Sequence, residues 1–434
     1  MNHSANEKTN KLSRRDFIKT SAAVSLAALG PGASKIYAAS SDKVRYGIIG
    51  FGGRAAGAAS NAVFADAAVE IIAVADMFED HIDESLNKLI NGSQWVTKVP
   101  SERVKITKET RFAGFDAYKK LLQCDVDVVI LAASPGFRPL HVKACVEAGK
   151  HIFMEKPVAV DPVGVRSIIE SCEKAKEKGL TVVAGTQRRH DPSYIEIMKR
   201  IHDGAIGDLV AGQCYYNTGL LWIKPRQPGW SDMEWQIRNW YYFTWLSGDH
   251  IVEQHIHNID TMNWAFKEHP VSCISIGGRE VRKEPQWGNI YDHFTTEFEY
   301  ASGARTMSMC RQMDGCSDRM SDRIVGTKGV AMMERREIQG ANPYKYEAER
   351  VDPYIQEHKD LIESMRQGKA VNEGRQVAEA TLTTVMARMS AYTGREVKWD
   401  WVMNASKLNL MPEKLEMGDL PVEPVAVPGK TPLV

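Results

Sequence analysis

The sequence predicts an α/β protein of two domains, a doubly wound parallel sheet followed by a second, strand-rich domain. Three observations carry this. Short apolar runs alternate with helical stretches from Val44 to Gly185. Glycines follow the first of those runs at once, and from Val271 onward strand-like alternation takes over around turn glycines. The 434 residues suffice for two cores of ordinary size. Its 55 basic and 55 acidic residues cancel, so no long-range field gathers nucleic acid or an anionic membrane, and a small neutral ligand is expected. The seven cysteines include no C-x-x-C pair and read as mostly buried thiols; Cys310 and Cys316 leave one bridge as the alternative.

Residues 1–40 read as an address. Ser13-Arg14-Arg15-Asp16-Phe17-Ile18-Lys19 precedes the apolar run "TSAAVSLAALG" and then "IYAAS", with a cleavage point near Ala39. The order resembles a twin-arginine export signal. It implies the Tat translocase as a partner during export, a periplasmic destination, and loading of any cofactor before export. The run is far shorter than the ~20 residues that span a bilayer, so no stable membrane insertion is expected. The competing reading is a basic tail.

Residues 41–185 read as a nucleotide-binding domain. "KVRYGIIGFGGRAAGAA" passes from a buried strand, Val44 to Ile49, into glycines and an alanine-rich helix. Gly50 permits a tight turn, Gly52 clears space for a pyrophosphate, and Ala55 stands where a third glycine is usual. The next run, "VEIIAVAD", ends in Asp76, placed for an adenosine ribose; a carboxylate there favours NAD over NADP. A helix N-cap is the other reading of Asp76. Strands follow at Val126 to Ser134, His151 to Glu155 and Thr181 to Gly185, with Gly149 capping a helix between them. Residues 92–111 read as a loop insertion.

"AGKHIFMEKPVA", with the glycine loop, Asp76, "ASP" after the fourth strand and "GTQRRHDPSY", resembles the Gfo/Idh/MocA family of NAD(P)-dependent oxidoreductases acting on sugars and cyclitols. The likeness runs from about Lys43 to Trp401. It implies a Rossmann domain, then an open, mostly antiparallel sheet flanked by helices over residues 186–401, with substrate at the junction. It also implies NAD contacts from Phe51, Gly53, Arg54, Ala133, Ser134, Pro135, Glu155, Lys156 and Gln187, besides Gly50, Gly52 and Asp76. Lys156, at the carboxyl end of a strand, is the expected catalytic and substrate-binding residue, because an ammonium there donates to an oxygen becoming a carbonyl.

"DHIVEQHIHNID", residues 249–260, crowds three histidines and three acids. The family pattern resembles D-x-x-x-H-x-x-D; here Glu253 replaces the aspartate and His255 a glycine. Wound as one helix, the stretch puts Asp249, Glu253, His257 and Asp260 on one face and Val252, Ile256, Ile259 and Met262 on the other. His255 falls among the apolar residues, so an H-x-H metal pair cannot converge, and no metal is expected. Glu253, His257 and Asp260 remain a metal set by ligand type alone. The favoured reading makes His257 the acid/base and a substrate ligand, with Glu253 orienting it or touching substrate.

Upstream, Trp230, Trp235, Trp240 and Trp245 recur every five residues, which keeps them on no single helical face. They read either as a sugar-stacking wall, with Arg238 and Trp240 as substrate contacts, or as aromatics burying a long connection. The strand-rich half offers a sheet for pairing subunits, as the resemblance implies. Residues 402–434, a Pro-rich tail, wrap a neighbour or dangle. The leading expectation is an exported enzyme that oxidises a hydroxyl of a sugar, glycoside or cyclitol with tightly held NAD. The alternatives are an NAD-dependent glycoside hydrolase working by transient C3 oxidation and elimination, and a metal-dependent or non-catalytic sugar-binding protein.

Overall fold

Six parallel strands, β1 (Val44–Ile49), β2 (Val69–Asp76), β3 (Arg111–Ala113), β4 (Val128–Leu131), β5 (His151–Met154) and β6 (Val182–Ala184), form one sheet in the order β3-β2-β1-β4-β5-β6. The computed structural model describes residues 42–434, so the signal reading of residues 1–40 lies outside the described residues. β1, β4, β5 and β6 are buried almost throughout, the signature of a sheet covered by helices on both faces. The strand order reverses between β1 and β4, and there the carboxyl ends open a crevice. Residues 92–111 are not a free loop: Val96 and Val99 are buried, and Arg103 donates to the Val69 carbonyl.

The second sheet has nine strands: β7 (Leu209–Thr218), β8 (Ser272–Gly278), β9 (His293–Glu299), β10 (Arg305–Gln312), β11 (Arg319–Gly326), β12 (Gly329–Met332), β13 (Glu337–Gly340), β14 (Tyr344–Lys345) and β15 (Val397–Lys398). Their order is β14-β13-β12-β11-β7-β10-β9-β8-β15, antiparallel throughout except for the β7–β10 pair. Alternation sorts the faces: Phe294, Thr296 and Phe298 point inward, while Ile274, Ile276 and Met309 are exposed on the other side. Helix Gly374–Thr393 is buried on nearly every side because it packs on helix Pro162–Glu177 of the first sheet's layer and on β8 of the second. It therefore ties the two halves into one body.

The tail departs from its expectation. Residues 405–434 pack along their own chain, with Leu410 N bonded to Asp161, Gly429 N to the Thr393 carbonyl, and the Ala426 carbonyl receiving the Tyr291 hydroxyl. Leu410, Met411, Leu415 and Leu420 supply the apolar contacts that periodicity failed to signal. The Cys310–Cys316 bridge does not form: Cys310 is buried, Cys316 is exposed, and both are free thiols. No described helix is long and apolar enough to cross a membrane.

Candidate active site

Above the crevice, β1 turns directly into helix Gly53–Ala65. Gly50 adopts φ +84°, and a Cβ there would lie 2.1 Å from the Ala133 nitrogen, so only glycine fits. A Cβ on Gly52 or Gly53 would meet nothing within 4 Å, which leaves an open cradle. The helix has no side-chain N-cap, so its first amides are available to an anion. Asp76 ends β2; its Oδ1 accepts from the Phe78 amide at 3.0 Å and faces His81 Nδ1 at 3.2 Å. Thus Oδ1 shapes the turn, as a cap would, and the residue also lines the cleft. Gly50, Gly52, Gly53, Asp76, Ala133 and Ser134 line one cavity of about 370 Å³. A dinucleotide's phosphates and ribose suit these groups.

Other expected cofactor contacts sit elsewhere. Phe51 is fully buried in the core, and Pro135 is buried behind the turn, so neither side chain reaches the cavity. Arg54 turns away onto Glu155, with Nε 2.5 Å from Oε1, and toward Glu357 at 3.4 Å. Glu155 is therefore occupied by a protein cation. Gln187 donates to the Tyr354 hydroxyl at 3.2 Å, and the Tyr354 ring lies 4.8 Å from the Arg54 guanidinium.

The crowded stretch is not one helix. Asp249, at φ +78°, caps a short helix His250–Glu253; the backbone then breaks at Gln254 and His255 before helix Ile256–Phe266 begins. The His250 carbonyl receives both the Gln254 and His255 amides, and His255 Nε2 is drawn to Ser308 Oγ at 2.7 Å. His255 is thus a packed, hydrogen-bonded histidine. The single-face expectation fails at its first member: the Asp249 carboxylate is fully buried, accepting from the His250 and Tyr291 amides and the Tyr392 hydroxyl. Asp260 is held by Arg189 through two bonds of 2.8 Å, which also removes it from any metal set with Glu253 and His257.

Lys156 lies at the end of β5, where the Lys156–Pro157 bond is cis. Its Nζ donates to the Glu253 carbonyl at 2.5 Å and to Oε1 of the same residue at 3.3 Å. Burial pushes the Glu253 carboxyl up to about 7, against the lowering pull of Lys156 and Arg138. Its second oxygen is buried with no protein partner. Glu253 therefore serves Lys156 and does not orient an imidazole. His257 is held well below the usual histidine range by burial first, then by Lys156, Arg188 and Arg54. It is neutral at physiological pH, which corrects its expected role as the group that titrates there.

Arg238 and Trp240 are not beside Lys156. They line the 370 Å³ cavity with Asp76 and the glycine cradle, together with Trp222, Lys224 and Ile237. Trp235 and Trp245 are buried in a cluster with Phe78, Phe137 and Phe243, so the connection-burying reading holds for those two. Sequence reasoning missed Arg188, which donates to the His257 carbonyl at 2.9 Å and to Asp322 at 2.7 Å, fixing the start of the second helix. It also missed Arg138, fully buried and bonded to the Leu131 carbonyl at 2.5 Å. Arg188 lay within the quoted "GTQRRHDPSY", but nothing local announced a partner 134 residues away.

Comparison with known proteins gives three family-model matches. Residues 44–186 match the oxidoreductase family with NAD-binding Rossmann fold, residues 194–332 the GFO/IDH/MocA C-terminal domain, and residues 11–31 the twin-arginine translocation signal. The chain is 28% identical over 244 residues to inositol 2-dehydrogenase 3 of Saccharopolyspora erythraea, a match covering 55% of this chain and 64% of that protein. It is 24% identical over 376 residues to the myo-inositol 2-dehydrogenase of Thermotoga maritima, covering 83% of this chain and all of that one. A levoglucosan dehydrogenase solved with NADH and levoglucosan superposes with a TM-score of 0.62 at 18% identity, covering 82% and 99% of the two chains, a likeness of fold.

Proposed function

This chain belongs to the Gfo/Idh/MocA oxidoreductase family and carries a twin-arginine export signal, and on that premise we propose that it oxidises a ring hydroxyl of a sugar, glycoside or cyclitol with tightly held NAD. The observation that carries the reading is the pairing of Lys156 with Glu253 at a strand end, beside a neutral His257. NAD supplies the hydride acceptor for the carbinol C–H. Lys156 Nζ faces the reacting oxygen and stabilises negative charge on it. The hydroxyl proton passes through Lys156 to Glu253, whose carboxylate form exists above about pH 7. His257 meets no protein partner at either ring nitrogen among the described residues, and as a neutral base it accepts a hydrogen bond from the substrate hydroxyl and orients it.

The related proteins act on inositols by their names, which supports starting from cyclitols and unphosphorylated sugars. A panel of these, deuterated on the carbinol carbons, is offered to the NAD-loaded protein. The reading expects deuterium in the nicotinamide and a keto product. Released free sugar with no keto product sinks it.

A pH profile tests the proton path. Oxidation at saturating substrate rises through a limb near pH 7 as Glu253 ionises, because only the carboxylate accepts the proton. Glu253→Gln abolishes that limb and slows turnover by about 10²-fold. Persistence of the limb in the variant assigns it to another group.

We also propose that copies pair through the exposed face of the nine-stranded sheet. Ile276 is 72% exposed and Ile274 56%, on the same face as Met309. Light scattering of the wild type gives more than one chain per particle, and Ile276→Glu shifts it toward the monomer; a monomeric wild type refutes the pairing.

A further inference from the structure

The 370 Å³ cavity has two walls of different origin. One is the expected nucleotide cradle with Asp76; the other is built by the segment after β7, through Trp222, Arg238 and Trp240, and by Leu415 from the tail. Arg238 spans the gap between them. Its guanidinium lies 3.7 Å from the Phe78 ring centroid, with Trp230 at 5.0 Å. It bonds Asp80 at 2.8 and 3.2 Å and Glu234 at 2.9 Å, so its plane and reach are fixed. Trp222 and Trp240, their rings tilted against each other with centroids 6.0 Å apart, continue this wall.

The wall is itself pinned from outside. Helix Asp232–Arg238 receives the tail through three bonds: Met233 N to the Gly418 carbonyl at 3.1 Å, Gln236 Nε2 to the Leu420 carbonyl at 2.5 Å, and Leu420 N to Asp232 at 3.1 Å. Leu415 and Leu420 pack in the cluster that holds Phe78, Met233 and Trp235. Phe78 follows β2 closely, so tail, helix and the turn after Asp76 share one small core.

We propose that Arg238, with Trp222 and Trp240, is a cofactor-binding element supplied by the second half of the chain, closing over the adenosine end of NAD, and that residues 405–434 strap it shut. The proposal rests on the NAD reading above and deepens it. A dinucleotide lying between these walls leaves only when the Arg238–Asp80 clasp opens and the strap lifts. NAD then behaves as a resident group, which suits an enzyme exported after loading, where free NAD is not resupplied.

The test follows release of NAD from the purified holoprotein after dilution into excess free NAD labelled with a heavy isotope, quantified by mass spectrometry. The wild type retains its NAD for hours. Arg238→Ala and Asp80→Ala each speed release by at least about tenfold, and Leu415→Ser does so from the strap side. Melting temperatures of the apo variants, matched to the apo wild type, show that faster release is not loss of fold. Release rates equal to wild type in Arg238→Ala and Asp80→Ala overturn the clasp while leaving NAD as cofactor. A wild type that neither carries nor binds NAD overturns the clasp and the proposed function together.

Discussion

Lys156→Ala lowers kcat by about 10²–10⁴-fold, the range for removing a positioned proton-transfer group. Among the described residues Lys156 is the only side chain bonded to the Glu253 carboxylate, and there Glu253 has no other route to the reacting oxygen. The fold survives the change. Lys156 is one of the groups pulling the Glu253 carboxyl down, so without it Glu253 rises further and stays protonated at neutral pH. No buried charge is stranded, and the cost in stability stays near 1 kcal/mol. Stopped-flow turnover and a denaturant midpoint measured on the same preparation separate the two effects. A variant that unfolds, or one that retains wild-type kcat, contradicts this account of Lys156.

Gly50→Ala has the second large effect, and it acts on the fold. The φ of +84° disfavours any side chain, and the new Cβ would sit 2.1 Å from the Ala133 nitrogen and 2.3 Å from its Cα. Both atoms belong to the backbone after β4, which cannot rotate away. The strands must separate at the crevice, costing more than about 3 kcal/mol and spoiling the phosphate cradle. Urea denaturation reads the first consequence and NAD content the second. Gly52→Ala makes the contrast: its Cβ enters open space, so stability changes little while NAD binding weakens. Equal loss of stability in both variants contradicts this reading of the loop.

Gly50 and Asp76 were legible in the sequence because their signals are local. A strand that ends in glycine and passes into a helix announces the Gly50 turn, and an apolar run ending in an acid announces Asp76. Lys156 was legible through the motif around it. The break at Gln254 and His255 was not, because a 100° periodicity assumes an unbroken helix, and the pull of Ser308 on His255 comes from 53 residues away. The same holds for pKa: His257 reads as a neutral-range titrator until burial and three neighbouring cations are in place. β7 went unread, although its ten residues include Cys214, Tyr215 and Tyr216, because its burial follows no strict alternation. The tail is irregular backbone and the aromatic segment is broken into short helical turns, and the two are held together by long-range bonds that composition does not encode. Hence Arg238 and Trp240 were picked out as ligand contacts from composition alone, while the cavity they line with Asp76 comes from the fold.

The most direct test of the central claim is to denature the purified mature protein, with no cofactor added, and identify the released nucleotide by mass spectrometry. The account predicts NAD or NADH at close to one per chain. Protein that releases no nicotinamide dinucleotide, and whose melting temperature added NAD does not raise, would contradict it.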